Sequence, residues 1–167
     1  MSPATLHTGP GRPSVRFERR LRQSPESVWR ALTDREELKS WFPTDIVTEE
    51  WKLGATLKFE FRQNEGPSMT GTVLEFDEPR LLSFSWGDDI LRFELTPAPG
   101  GGTLLVLIDE VDGQIAARNA AGWGVCLDRM EGKATDENAW QAAFDGYVAV
   151  FEPALGPQEG PPAGSHD

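Results

Sequence analysis

Residues Gln114–Met130 read QIAARNAAGWGVCLDRM, and their spacing decides the fold. Ala116, Ala120, Trp123, Leu127 and Met130 are separated by steps of four and three, so a helix gathers them into one stripe. Arg118, Asp128, Arg129 and Glu131 fall on the opposite side, where charged groups belong in water. A helix with one apolar face needs a surface to cover. The rest of the chain offers one.

Upstream, Ser14–Arg22 alternates Val15, Phe17, Arg19 and Leu21 against Arg16, Glu18 and Arg20, which is strand period. Ser24-Pro25 is an N-cap followed by proline at the first helical position, opening a short helix that packs through Val28, Trp29 and Leu32. Thr33-Asp34 starts a second helix, with Glu36 and Glu37 placed for a capping box; Leu38, Trp41 and Phe42 close it and Pro43 stops it. Strand patterns then follow at Asp45–Trp51, Gly54–Arg62, Met69–Phe76, Arg80–Trp86, Ile90–Thr96 and Thr103–Glu110. Turn residues separate them: Asn64-Glu65-Gly66-Pro67, Asp77-Glu78-Pro79, Gly87-Asp88 and Pro99-Gly100-Gly101-Gly102. A further amphipathic helix spans Asp136–Phe151, with Trp140, Phe144, Tyr147 and Phe151 on one side and Pro153 at its end.

This order predicts an α+β fold: a curved antiparallel sheet of about six to seven strands wrapped on a long C-terminal helix, with two short helices after the first strand. A single domain is expected over residues 14–155, between unstructured tails at 1–13 and 156–167 that are rich in Gly, Pro and Ser.

The composition excludes several functions. The chain has 167 residues and a formal net charge of -11, which opposes binding to a phosphate backbone or to an anionic membrane. No apolar run approaches the roughly 20 residues that span a bilayer. The start, MSPATLHTGPGRPS, lacks the apolar core of a signal peptide, and the single cysteine, Cys126, has no partner for an internal disulfide. A cytoplasmic protein is the expectation.

The motif series SPESVWRALTDREELKSWF, WKLGATLKFEF, GTVLEFDEPRLLSFSW, GGTLLVLID and AAGWGVCLDRM resembles the activator of heat-shock-protein ATPase homologue family, within the START-like (SRPBCC, helix-grip) superfamily. The likeness runs from about Val15 to Met130. It implies a cavity between the curved sheet and the C-terminal helix, which the superfamily uses for lipids, sterols, polyketides and other apolar molecules. The motifs themselves define the fold and carry no catalytic signature.

Both histidines, His7 and His166, fall in the tails, so no Ser-His-Asp or Cys-His nucleophile, structural zinc or His-bound iron is expected in the core. No cofactor is implied. Asp109, Glu110 and Glu75 are the carboxylates open to acid–base work, while capping or solvent-facing roles are their plainer readings, with Arg80 as a partner for Glu75. Cys126 reads as a packed helical side chain. The aromatic residues carry the positive case. Trp41, Phe42, Trp86 and Trp123, with Leu127, are candidates to line a pocket, and Arg92, Asp109 and Asn119 to supply its polar groups, with Ser83 and Ser85 as alternates. The expected function is non-enzymatic binding of a small apolar or aromatic molecule. A chaperone-linked interaction module is the alternative, and a cyclase- or hydrolase-type enzyme a third. A homodimer through a sheet edge or the outer face of the Asp136 helix is compatible with the pattern.

Overall fold

The computed structural model describes residues 3–61, 67–136 and 138–160. The strands are β1 (Thr5–His7), β2 (Ser14–Leu21), β3 (Asp45–Val47), β4 (Thr56–Glu60), β5 (Met69–Asp77), β6 (Leu81–Trp86), β7 (Asp89–Pro97) and β8 (Thr103–Glu110). They form one antiparallel sheet of 8 strands in the order β1-β2-β8-β7-β6-β5-β4-β3. The count exceeds the expected six to seven because β1 pairs with β2, Thr5 opposite Arg16, inside the stretch read as a tail. Three residues are too few to show a period, and only the free edge of β2 makes them a strand. The two short helices, α1 (Pro25–Thr33) and α2 (Arg35–Leu38), therefore follow the second strand.

Both helix starts are built as their sequences require. Ser24 Oγ accepts from the Ser27 N–H at 3.2 Å, and Asp34 Oδ1 accepts from the N–H groups of Glu36 and Glu37 at 2.9 and 3.0 Å. The α2 helix is a single turn, shorter than expected, and the turn after it swings Trp41 and Phe42 into the core. The turn expected at residues 64–67 lies largely outside the described residues.

Strand alternation sorts residues by face. Val15, Phe17, Leu107, Leu91, Phe93, Leu82, Phe84, Val73, Leu57 and Phe59 are buried on the inner face. At β5, Gly71 stands where β6 and β4 press closest: a Cβ there would lie 2.2 Å from the Ser85 carbonyl oxygen and 2.8 Å from Phe59. Only glycine lets the layers close at that point.

The helix that crosses this face begins later than its pattern suggests. Gly113–Ile115 is a 3-10 turn, capped by Asp112 Oδ1 accepting from the Gln114 N–H at 2.8 Å, and α3 runs Ala116–Met130. The last helix, α4 (Ala139–Leu155), packs against α3 and contains Pro153. That proline lies in the final turn, where little helical bonding remains to disrupt. Asp128 corrects the expectation of a solvated charge: it is buried and accepts from Arg19 Nη1 at 2.8 Å, beside Glu131 at 2.7 Å.

The C-terminal stretch after Gly156 also departs from the expected tail. Gln158 accepts from the Ala117 N–H at 2.9 Å and donates to the Gly113 carbonyl at 2.8 Å, and the Glu159 N–H reaches Gln114. The first of these satisfies an N–H that a helix start leaves open, and the other two tie the stretch to the carbonyls of the 3-10 turn. No helix among the described residues is long and apolar enough to cross a membrane.

Candidate functional site

Beneath α3 the inner face of the sheet carries a continuous set of rings. Phe42 lies 5.5 Å from Trp123 and 5.3 Å from Trp86 between ring centres, and Trp86 lies 4.8 Å from Phe59 and 5.9 Å from Trp123. Most of these meet edge-on or tilted, the arrangement aromatic quadrupoles prefer. The rings touch one another and occupy the ground between sheet and helix. Trp86, Trp51, Phe61 and Met69 are only half-buried, so the cluster reaches solvent on the β4–β6 side.

One polar centre sits against these rings. Asp109 faces inward from β8 in the cross-strand row Val15–Asp109–Leu91–Phe84–Val73, where every other member is apolar. It is fully buried. Its Oδ2 accepts from Trp123 Nε1 at 3.2 Å, and its Oδ1 accepts from no donor among the described residues. Asp89, also buried, shares the inner face one step along β7 and accepts from Asn119 Nδ2 at 2.8 Å.

Two ionised carboxylates repel and can only accept, so bringing Asp89 and Asp109 near one another favours protonation of one of them. Burial, the charge of Asp89 and the hydrogen bond to Asp89 all push the Asp109 carboxyl well above its ordinary range, which favours its protonated form. Asp89 is raised chiefly by burial, an effect opposed by the proton from Asp109, by Arg12 and by Asn119. Arg12 approaches from the segment after β1, its guanidinium 3.9 Å from Asp89 Oδ1 and also bonded to the Asp88 carbonyl.

The structure brings Asp109, Asn119, Trp123, Trp86 and Phe42 together. Leu127 is buried in the same core one turn beyond Trp123. Trp41 sits at the edge of the cluster: its ring meets Phe42 at 5.3 Å and Phe93 at 6.2 Å, and its Nε1 donates to the Ala31 carbonyl at 2.9 Å. Its edge lines a separate cleft of about 120 Å³ with Leu21, Val28, Glu37 and Met130.

Arg92 does not belong to the site. Leu91, Phe93 and Leu95 face inward, so Arg92 faces out, where Glu75 and Glu94 accept from it at 2.8 and 2.7 Å. Ser83, Glu75 and Glu110 lie on that same outer face around a hollow of about 190 Å³. Glu75 therefore pairs with Arg92 rather than Arg80, and neither Glu75 nor Glu110 can join Asp109 as an acid–base pair. Ser85 Oγ accepts from the Thr72 N–H at 3.0 Å.

Asp89 is the residue that sequence reasoning missed. Gly87-Asp88 reads as turn and the next strand as starting at Ile90, so Asp89 falls between them, yet it already pairs with Trp86 across the hairpin. Gly87, at φ 57, takes the left-handed conformation that such a short loop needs. Its signal was parity: Asp89 continues the inward series Leu91, Phe93, Leu95.

The family model described as Activator of Hsp90 ATPase homolog 1-like protein matches residues 22–134. The chain belongs to that family. The match takes in α1, α2, β3 to β8 and α3, and the eight-stranded sheet closed by α3 is the helix-grip arrangement. Solved structures with this fold include a conserved protein of unknown function, EF2215 from Enterococcus faecalis, at TM-score 0.77 and 22% identity over 90% of this chain and 91% of that one. CalU16 from Micromonospora echinospora matches at TM-score 0.69 and 22% identity over 89% and 95%. Protein NE0264 from Nitrosomonas europaea matches at 0.60 and 22% over 71% and 92%. At these identities the likeness concerns the fold. A search of curated proteins finds no match. Among the described residues, no group of three or more His, Cys, Asp or Glu is placed to hold a metal ion.

Proposed function

We propose that the protein binds a small molecule with an aromatic or apolar body between the sheet and α3, without catalysing its conversion. The observation that carries this reading is Asp109: a fully buried carboxyl set against Trp123, with one oxygen that accepts from no protein N–H. Burying such a group costs free energy unless it serves something. Apolar walls with a few placed polar groups are what small-molecule sites are made of. The half-buried Trp86 marks the side from which a ligand enters, by displacing ring edges rather than filling a ready void.

The test is a thermal-shift screen of sterols, polyphenols, fatty acids and aromatic amines, read together with tryptophan fluorescence. Binding at this site raises the melting temperature and changes the emission of Trp86 and Trp123, and the emission change is lost in Trp123→Phe. A panel that moves neither signal defeats the reading.

The family's description favours a second reading, a chaperone-associated role. It requires that the purified chain stimulate the turnover of a heat-shock ATPase; unchanged turnover at saturating protein removes it. In both readings the protein acts in a reducing compartment such as the cytoplasm, which fits a single buried Cys126.

A further inference from the structure

The charge around Asp109 narrows the ligand class. Asp89 and Asp109 place two carboxyl groups at one end of the ring cluster, and the groups facing them are Asn119 and Trp123 from α3, Asp88 from the turn and Arg12 from the segment before β2. Among the described residues, Arg12 is the cation within salt-bridge reach of the pair, and its side chain is 42% exposed at a distance of 3.9 Å. Water screens such a contact. The other inward-facing cation, Arg19, is held by Asp128 and Glu131, and Arg92 is on the outer face. The interior therefore holds acid without a matching base.

We infer that the site takes an aromatic or apolar amine, its ammonium seated between the carboxyls of Asp89 and Asp109 and its body against Trp86 and Trp123. This rests on the ligand-binding reading above. In the free protein burial and the charge of Asp89 favour the protonated form of Asp109. An entering ammonium releases that proton to solvent and takes its place, so the charge of the site is unchanged while its donors satisfy Asp109 Oδ1 and Asp89. Charge-assisted hydrogen bonds to carboxylate are about twice as strong as neutral ones. A fatty acid or aromatic carboxylate meets the reverse situation, two acids and no buried base to receive it. The overall charge of -11 works in the same direction by drawing cations toward the protein. Access is marked by three side chains at this end, the half-buried Trp86 and Asn119 and the partly exposed Arg12.

Calorimetric titration of the full chain at neutral pH with 2-phenylethylamine, 2-phenylethanol and 3-phenylpropanoate tests this, since the three differ mainly in charge. The amine is expected to bind at least about tenfold tighter than the alcohol, and the carboxylate most weakly. In Asp89→Asn and in Asp109→Asn, which keep the shape of the side chain, the ratio of amine to alcohol affinity should fall to within about threefold. Near-ultraviolet circular dichroism, unchanged from wild type, checks that the tryptophans keep their packing. Equal binding of alcohol and amine, a preference for the carboxylate, or a wild-type amine preference in both Asn variants overturns the amine assignment and leaves the broader ligand reading standing. Failure of all three probes to bind overturns both.

Discussion

The indole N–H of Trp123 donates to Asp109 Oδ2 at 3.2 Å, joining the middle of α3 to β8 through two buried side chains. This bond ties the helix to the sheet at the point where the aromatic cluster meets its polar centre. It also makes Trp123 structural and site-forming together, rather than one or the other.

Truncating that ring should be expensive. Trp123 contacts Phe42 and Trp86, so Trp123→Ala is expected to cost about 3–5 kcal/mol in urea unfolding. Trp123→Phe keeps most of the volume but strands Asp109 Oδ2, at a cost of about 1–3 kcal/mol. A loss well under 1 kcal/mol for the Ala variant would show that the ring borders open space.

The stability of the protein should depend on pH through Asp109 and Asp89. Both carboxyls are raised in the folded protein from an ordinary value of 3.8, so folding favours their protonated forms. That contribution is complete below the unfolded value and is lost as pH rises through the folded ones. Unfolding free energy is therefore expected to decline from about pH 4 upward on account of this pair, and Asp109→Asn, which has no proton to lose, to flatten the decline. Urea melts of both proteins across the pH range decide it; parallel curves would place the proton elsewhere.

Gly71→Ala should destabilise by overpacking. The new methyl meets a backbone carbonyl at 2.2 Å, which cannot swing aside as a flexible side chain would. A cost of about 1–3 kcal/mol is expected in thermal or chemical unfolding. A neutral result would mean that β5 and β6 part without penalty.

Arg19→Ala should loosen the far end of α3. Arg19 is buried and donates to both Asp128 and Glu131, so its removal strands the buried Asp128 and leaves Glu131 with Lys133, 3.3 Å away. Breaking a buried pair in this way costs about 3–5 kcal/mol. Unfolding by urea at high salt separates this buried network from surface charge effects, because screening leaves buried pairs nearly untouched.

Much of the architecture was legible in local pattern. Alternation in Ser14–Leu21 and in Thr56–Glu60 correctly divides inner from outer residues, and Ser24 and Asp34 cap the helices that their sequences announce. The same rule, applied to β7, would have sent Arg92 outward with Glu75 and Glu94 and brought Asp89 inward with Leu91. The site was half legible for that reason: Asp109, Asn119 and Trp123 could be named, but their fourth partner fell between a turn and the strand after it.

Local composition misled at both ends of the chain. Thr5–His7 and Gln158–Glu159 lie in Gly- and Pro-rich surroundings, and their structure comes from what they touch: a free strand edge and the open N–H and C=O groups at the start of α3. Asp128 is a similar case, a charged residue on the polar side of a helix that Arg19 draws into the interior. The sequence by itself determined the curved sheet and the covering helix, because side-chain period and capping act over a few neighbouring residues, and its motif series carried the resemblance to the family. Only the tertiary structure decided that Asp89 and Asp109 come together on one buried face beneath Trp123. Strand register sets that contact between residues 20 apart in the chain, and burial then makes it count by removing the water that would otherwise solvate both charges.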